Sequence, residues 1–202
     1  MIALSTTPTA RAAIDDAVDT VLIRLARRLR DHGDGARALA SAIARSAQGG
    51  KRFRPLLVVA AFDTLRGDEG DRAAVYQVAA AFELLHTAFV IHDDVIDHDV
   101  ERRGVANVGG EFRARGTERG ADAAGAALLG DAAGILAGDL LLHEAGRLVA
   151  LADLPTGVRG ELLRLLEDAV LVSAAGELAD VENAVSARDV DAETILRTTH
   201  DK

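Results

Sequence analysis

The chain has no cysteine, only three prolines and few aromatics, which make up 3% of its 202 residues. Without thiols there are no disulfides, no thiolate catalysis and no cysteine-ligated zinc, and the composition fits a cytoplasmic protein. Few prolines, with 49% hydrophobic residues dominated by Ala, Leu and Val, favour closely packed helices over a β-rich fold. Positive charge is also scarce: 23 Lys and Arg face 32 Asp and Glu, leaving a net charge of −9. That balance argues against a general nucleic-acid binder with a broad basic face. The N-terminus has no apolar signal-peptide core, because Asp15 and Asp16 interrupt it. The longest apolar stretch, residues 123–149, is broken by Asp131, Asp139, His143, Glu144 and Arg147. No stretch is therefore expected to be long and apolar enough to span a bilayer, and no stable membrane insertion is expected.

What is present is helical patterning from end to end. A first amphipathic helix is expected over residues 9–31, ended by Asp31-His32-Gly33-Asp34-Gly35, and a shorter one over 36–47. A third starts near Arg54-Pro55, where proline suits a first helical turn, and runs to about Leu65. After a Gly-rich turn at 66–70 comes a long, nearly uncharged helix that ends in aspartates. Residues 101–117, rich in Gly and Arg, read as an active-site loop. Three further helices are expected over 119–151, 156–184 and 188–199. In the first of these, Gly130, Gly134 and Gly138 stand at i,i+4 spacing and would form a groove for close helix packing. No repeat or compositional break marks a second domain, so residues 1–202 read as one all-α unit.

Chemistry concentrates at His92-Asp93-Asp94-Val95-Ile96-Asp97, followed by Arg102-Arg103-Gly104. A helix turns about 100° per residue, so Asp93 and Asp97 share a face one turn apart, while Asp94 points elsewhere. Carboxylates at that spacing suit Mg²⁺, which prefers hard oxygen ligands and retains waters that phosphate can replace. Arg102 and Arg103 suit a polyanion, since guanidinium binds phosphate oxygens bidentately. A second DDxxD, Asp15-Asp16-Ala17-Val18-Asp19, stands beside Arg24, Arg27 and Arg28 and reads as a solvated helix face. The later copy differs because it ends a helix apolar on most sides, where unneutralised carboxylates are costly. Upstream, Gly49-Gly50-Lys51-Arg52-Phe53-Arg54-Pro55 puts three cations at a helix start behind two glycines, an arrangement that favours an anion. It lacks the spacing of a Walker A loop.

Taken in order, GGKRFRP, ELLHTAFVIHDDVID and ERRG resemble the trans-isoprenyl diphosphate synthase (polyprenyl synthetase) family. AGDLL at 137–141 and AGELAD at 175–180 add weaker matches, and the resemblance runs essentially the length of the chain. It implies the isoprenoid synthase fold, antiparallel helices around a central cavity, usually as a homodimer. It also implies that an allylic diphosphate is condensed with isopentenyl diphosphate to a longer trans-prenyl diphosphate of farnesyl or geranylgeranyl type. By position, Asp93 and Asp97 would ligate Mg²⁺, with Asp94 supporting them. Arg102 would contact the allylic diphosphate, and Lys51, Arg54, His86 and Arg103 would hold isopentenyl diphosphate. Phe89, one turn before Asp93, and its small neighbour Ala88 would set product length. His92 and His98 match no ligand position.

The chain also departs from the family pattern. No DDxxD follows Ala175, where the family carries a second aspartate-rich motif on the opposite wall. Lys202 matches the lysine of the family's Lys-Thr element near the allylic diphosphate, so the chain is expected to be the N-terminal part of a synthase. Ala106 stands where proline is common, and Glu177 where glutamine is usual. The alternative is an inactive homologue that binds diphosphate or partners a complete subunit. A terpene cyclase also uses DDxxD, but GGKRFRP and RRG serve a second diphosphate substrate.

Overall fold

The computed structural model describes residues 8–65, 71–186 and Leu196. It contains two compact units, residues 1–153 and 154–202. The first holds α1 (Pro8–Leu29), a one-turn 3₁₀ segment (Arg30–His32), α2 (Asp34–Ala47), α3 (Phe53–Thr64) and α4 (Arg72–Ile96). A two-stranded hairpin, β1 (Glu101–Arg102) and β2 (Val105–Ala106), leads to α5 (Val108–Glu118) and α6 (Ala123–Ala150). In the second unit the described residues form α7 (Thr156–Val185). The class is all-α as expected, and the expected helix over 188–199 lies outside the described residues except for Leu196.

Helix α4 is the axis of the first unit and packs against α1, α3 and α6. Its alanines make this possible: Ala79, Ala80, Ala81 and Ala88 are fully buried together with Leu84. At one end, Ala10 and Ile14 of α1 meet Val59 of α3 and Val75 and Ala79 of α4. The glycines of α6 form the expected groove. A Cβ on Gly130 would lie 2.6 Å from the carbonyl oxygen of Gly109, while Gly134 faces Val95 and Gly138 faces His92. So α5 approaches α6 backbone-close, while Val95 and His92 of α4 lay their side chains over the same glycine row.

Two expectations change. Residues 101–117 are not one loop, because residues 108–118 form α5, which Asn107 starts by accepting a hydrogen bond from the Gly110 amide at 2.8 Å. Val108, Phe112 and Gly116 give α5 a buried stripe at i,i+4 spacing, a signal masked by the surrounding Gly and Arg. Second, α4 and α6 are both long and apolar enough to cross a membrane by length and composition, against the expectation that no stretch would be. The interrupting charges are too sparse over an 18-residue window to prevent this. The apolar window of α4 is 67% buried, the pattern of a core helix.

Candidate functional site

Helix α4 ends in a way that fixes its three aspartates. His98 takes a left-handed conformation (φ 58°), its amide donates to Val95 O at 3.2 Å, and the Asp99 amide donates to Asp94 O at 2.8 Å. This is a Schellman-type stop with histidine where glycine is usual. Asp93 and Asp97 lie one turn apart, Asp93 half-buried and Asp97 exposed, whereas Asp94 is buried and turned toward the hairpin. Arg102 Nε donates to Asp94 Oδ1 at 2.8 Å, and its Nη2 reaches Asp93 Oδ2 at 3.5 Å. The hydrogen bond to Asp94 raises the Arg102 pKa, against the opposing effect of burial.

The hairpin places the next arginine. Arg102 pairs with Val105, so Arg103 and Gly104 form a two-residue turn, both with positive φ (57° and 78°). That is the turn geometry matched to strand twist, with an arginine at a position that asparagine or glycine would take more easily. Arg52, His98 and Arg103 are the non-glycine residues with positive φ among the described residues, and all three stand beside this region. Such backbone strain clusters at functional sites.

Arg102, Arg103 and His86 border one cavity of about 440 Å³. Its other walls include Gly49, Gly50 and Arg52, the α4 residues Glu83, Thr87, Val90, Ile91 and Asp94, and Arg45 facing Glu111. Burial, then repulsion from Arg54, lowers the His86 pKa; Glu83 opposes this, and Arg102 and Arg103 add to the lowering. Asp93, Asp97, Lys51, Arg54, Ala88 and Phe89 do not border this cavity. Lys51 and Arg54 are exposed beside it, Phe89 is half-buried, and Ala88 is fully buried. Lys202 lies outside the described residues.

Sequence reasoning missed how Arg52 is used. Its place between Lys51 and Arg54 suggests an anion-binding cation, yet its side chain is 5% exposed and committed internally. Nε donates to Asp15 at 2.7 Å and Nη1 to Glu83 at 2.8 Å. Burial opposes its charge, but these two carboxylates prevail and the pKa is raised. Asp15 is therefore not part of a purely solvated face, although Asp16 and Asp19 are exposed. Arg24 likewise reaches across to buried Glu144 on α6 rather than pairing along its own helix. Asn107 and the Arg45–Glu111 pair, with Nε to Oε1 at 2.8 Å, were also missed. Pairs so distant in the chain leave no periodic trace.

The polyprenyl synthetase family model matches residues 36–202, more than half of the chain. The chain belongs to the polyprenyl synthetase family. It is 36% identical over 174 residues to the farnesyl diphosphate synthase of Geobacillus stearothermophilus, covering 82% of this chain and 50% of that protein. It is 32% identical over 155 residues to the octaprenyl diphosphate synthase of Escherichia coli, covering 76% of this chain and 40% of that one. The geranylgeranyl pyrophosphate synthase of Corynebacterium glutamicum, solved with isoprenyl diphosphate and magnesium, superposes with a TM-score of 0.82. That match covers 94% of this chain and 54% of the other at 22% identity, which shows the isoprenoid synthase fold alone. The chain thus spans about half the length of these relatives.

Proposed function

We propose that this site serves Mg²⁺-dependent prenyl transfer, the condensation of an allylic diphosphate with isopentenyl diphosphate. The observation that carries the reading is that Asp94, Arg102 and Arg103 line one cavity together with Gly49 and Gly50 of the glycine loop, with Asp93 next to Asp94 and within 3.5 Å of Arg102. The donor set fits the ion. Asp93 and Asp97 stand one helical turn apart on one face, and both offer hard carboxylate oxygens. Mg²⁺ suits so open a set because it keeps its waters and takes phosphate oxygens.

In this reading Asp93 and Asp97 hold the ion, which when bound supplies positive charge against a leaving diphosphate. Arg102, oriented by Asp94, binds the allylic diphosphate and stabilises the charge that develops as its C–O bond breaks. Lys51, Arg54, His86 and Arg103 hold isopentenyl diphosphate so that its alkene faces the reacting carbon. Breaking the C–O bond leaves an allylic carbocation, the alkene of isopentenyl diphosphate attacks it, and the cation so formed loses a proton to the released diphosphate, in a pocket that keeps out water. Phe89 and Ala88 limit the growing chain, giving a farnesyl- or geranylgeranyl-type product. We place the protein in the cytoplasm as a homodimer.

The alternative reading is a diphosphate-binding subunit without turnover. A condensation assay on the protein as encoded separates the two. A longer prenyl diphosphate that forms only with Mg²⁺ supports transfer. Mg²⁺-dependent binding without product supports the second reading, and binding of neither substrate contradicts both.

A further inference from the structure

The loop from Gly49 to Arg54 carries three cations, but they are not equivalent. Gly49, Gly50 and Arg52 all have positive φ (78°, 77° and 50°), so the backbone coils tightly before α3 begins. Arg52 sits at that helix start with a buried side chain between Asp15 of α1 and Glu83 of α4. Arg11, one turn before Asp15, donates to the Gly50 carbonyl at 2.9 Å and lies 3.7 Å from Asp15 itself. Two carboxylates on two helices thus fix one guanidinium, and a third contact fixes the turn before it. Lys51 and Arg54, on either side, remain exposed.

We propose that Arg52 is a positioning residue, clamped by Asp15 and Glu83 so that the strained loop presents Lys51 and Arg54 to a diphosphate. The inference rests on the diphosphate site proposed above. Asp15 then acts at a distance: its carboxylate orients Arg52, and Arg52 orients the loop. The geometry requires a planar fork, because separate guanidinium nitrogens serve the two carboxylates. A lysine keeps the charge and cannot span both partners in that way.

Titration calorimetry on Arg52→Lys, Asp15→Asn and Glu83→Gln tests this with two ligands: isopentenyl diphosphate, and an allylic thiolodiphosphate with Mg²⁺. The expected result is at least about tenfold weaker binding of isopentenyl diphosphate, about 1.4 kcal/mol, with allylic binding within about twofold of wild type. Hydrogen exchange at residues 49–56 should quicken in the same variants. Both ligands weakening in step with the melting temperature would reduce Arg52 to a general structural role and overturn the proposal. Unchanged isopentenyl diphosphate binding in Asp15→Asn, the mildest variant because Asp15 is 38% exposed, overturns it as well. Wild-type protein that binds neither ligand overturns the underlying site reading instead.

Discussion

Arg102 folds back onto Asp94: its Nε stands 2.8 Å from Asp94 Oδ1 and joins the hairpin to the last turn of α4. Asp94 is buried and Arg102 is partly exposed, with 40% of its side chain open to solvent. The aspartate therefore orients a guanidinium that can still meet a ligand. Neighbouring aspartates thus take different parts, since Asp93 and Asp97 share the other face.

Asp94→Asn should weaken binding of an allylic diphosphate analogue by about tenfold, or about 1.4 kcal/mol, while the Mg²⁺ requirement persists. The charge-assisted bond that aims Arg102 is lost, but both proposed metal ligands remain. Calorimetry with and without Mg²⁺ checks this. A variant that no longer responds to Mg²⁺ would show that Asp94 ligates the ion.

His86 makes binding depend on pH. Burial and the cations Arg54, Arg102 and Arg103 hold its pKa below the ordinary value, which is about 6.5. A diphosphate would neutralise those cations and raise the pKa again, so His86 should take up a proton on binding between about pH 8 and about pH 6. In the free protein the depressed pKa favours neutral His86. Its contribution to stability is complete above about pH 6.5 and is lost as pH falls through the lowered pKa. Calorimetry in buffers of different ionisation enthalpy measures the proton exchange, and His86→Gln should take up fewer protons than wild type, the ligand's own titration being common to both.

Two glycines of α6 should respond to alanine with opposite sign. Gly130→Ala drives a Cβ against the Gly109 carbonyl and Arg113 and should destabilise by about 1–3 kcal/mol, despite alanine's better helix propensity. A Cβ on Gly146 meets nothing within 4 Å, so Gly146→Ala should stabilise by about 0.5–1 kcal/mol. Urea denaturation decides. Equal effects at the two sites would mean that the α5–α6 approach is not backbone-close.

Phe89→Ala should lengthen the products of a condensing protein if Phe89 is the floor of the chain pocket. Mass spectrometry of the hydrolysed prenyl alcohols reads this directly, and an unchanged product distribution would remove Phe89 from that role.

Helix periodicity made most of the fold legible. The glycine row of α6 and the buried alanines of α4 follow from spacing and small side chains. Helix α5 was not legible, because three buried positions stood among glycines and arginines that read as loop. The site was legible where its residues are close in sequence, as from Asp93 to Arg103. It was not where partners are far apart. Asp15 and Arg52 meet across 37 positions, and Arg45 and Glu111 across 66. Ion pairs of that separation depend on helix packing, which no local pattern encodes. The Asp15 motif accordingly read as a solvated copy of DDxxD, although one of its carboxylates holds a buried arginine.

In the proposed site Asp93 and Asp97 hold Mg²⁺ against a diphosphate. Titrating an allylic thiolodiphosphate into wild type, Asp93→Asn and Asp97→Asn, each with and without Mg²⁺, tests it most directly. Wild type should bind in a Mg²⁺-dependent way, and both variants should lose the Mg²⁺ enhancement with folding intact. Equal binding by wild type with and without Mg²⁺, or undiminished enhancement in either variant, would contradict it.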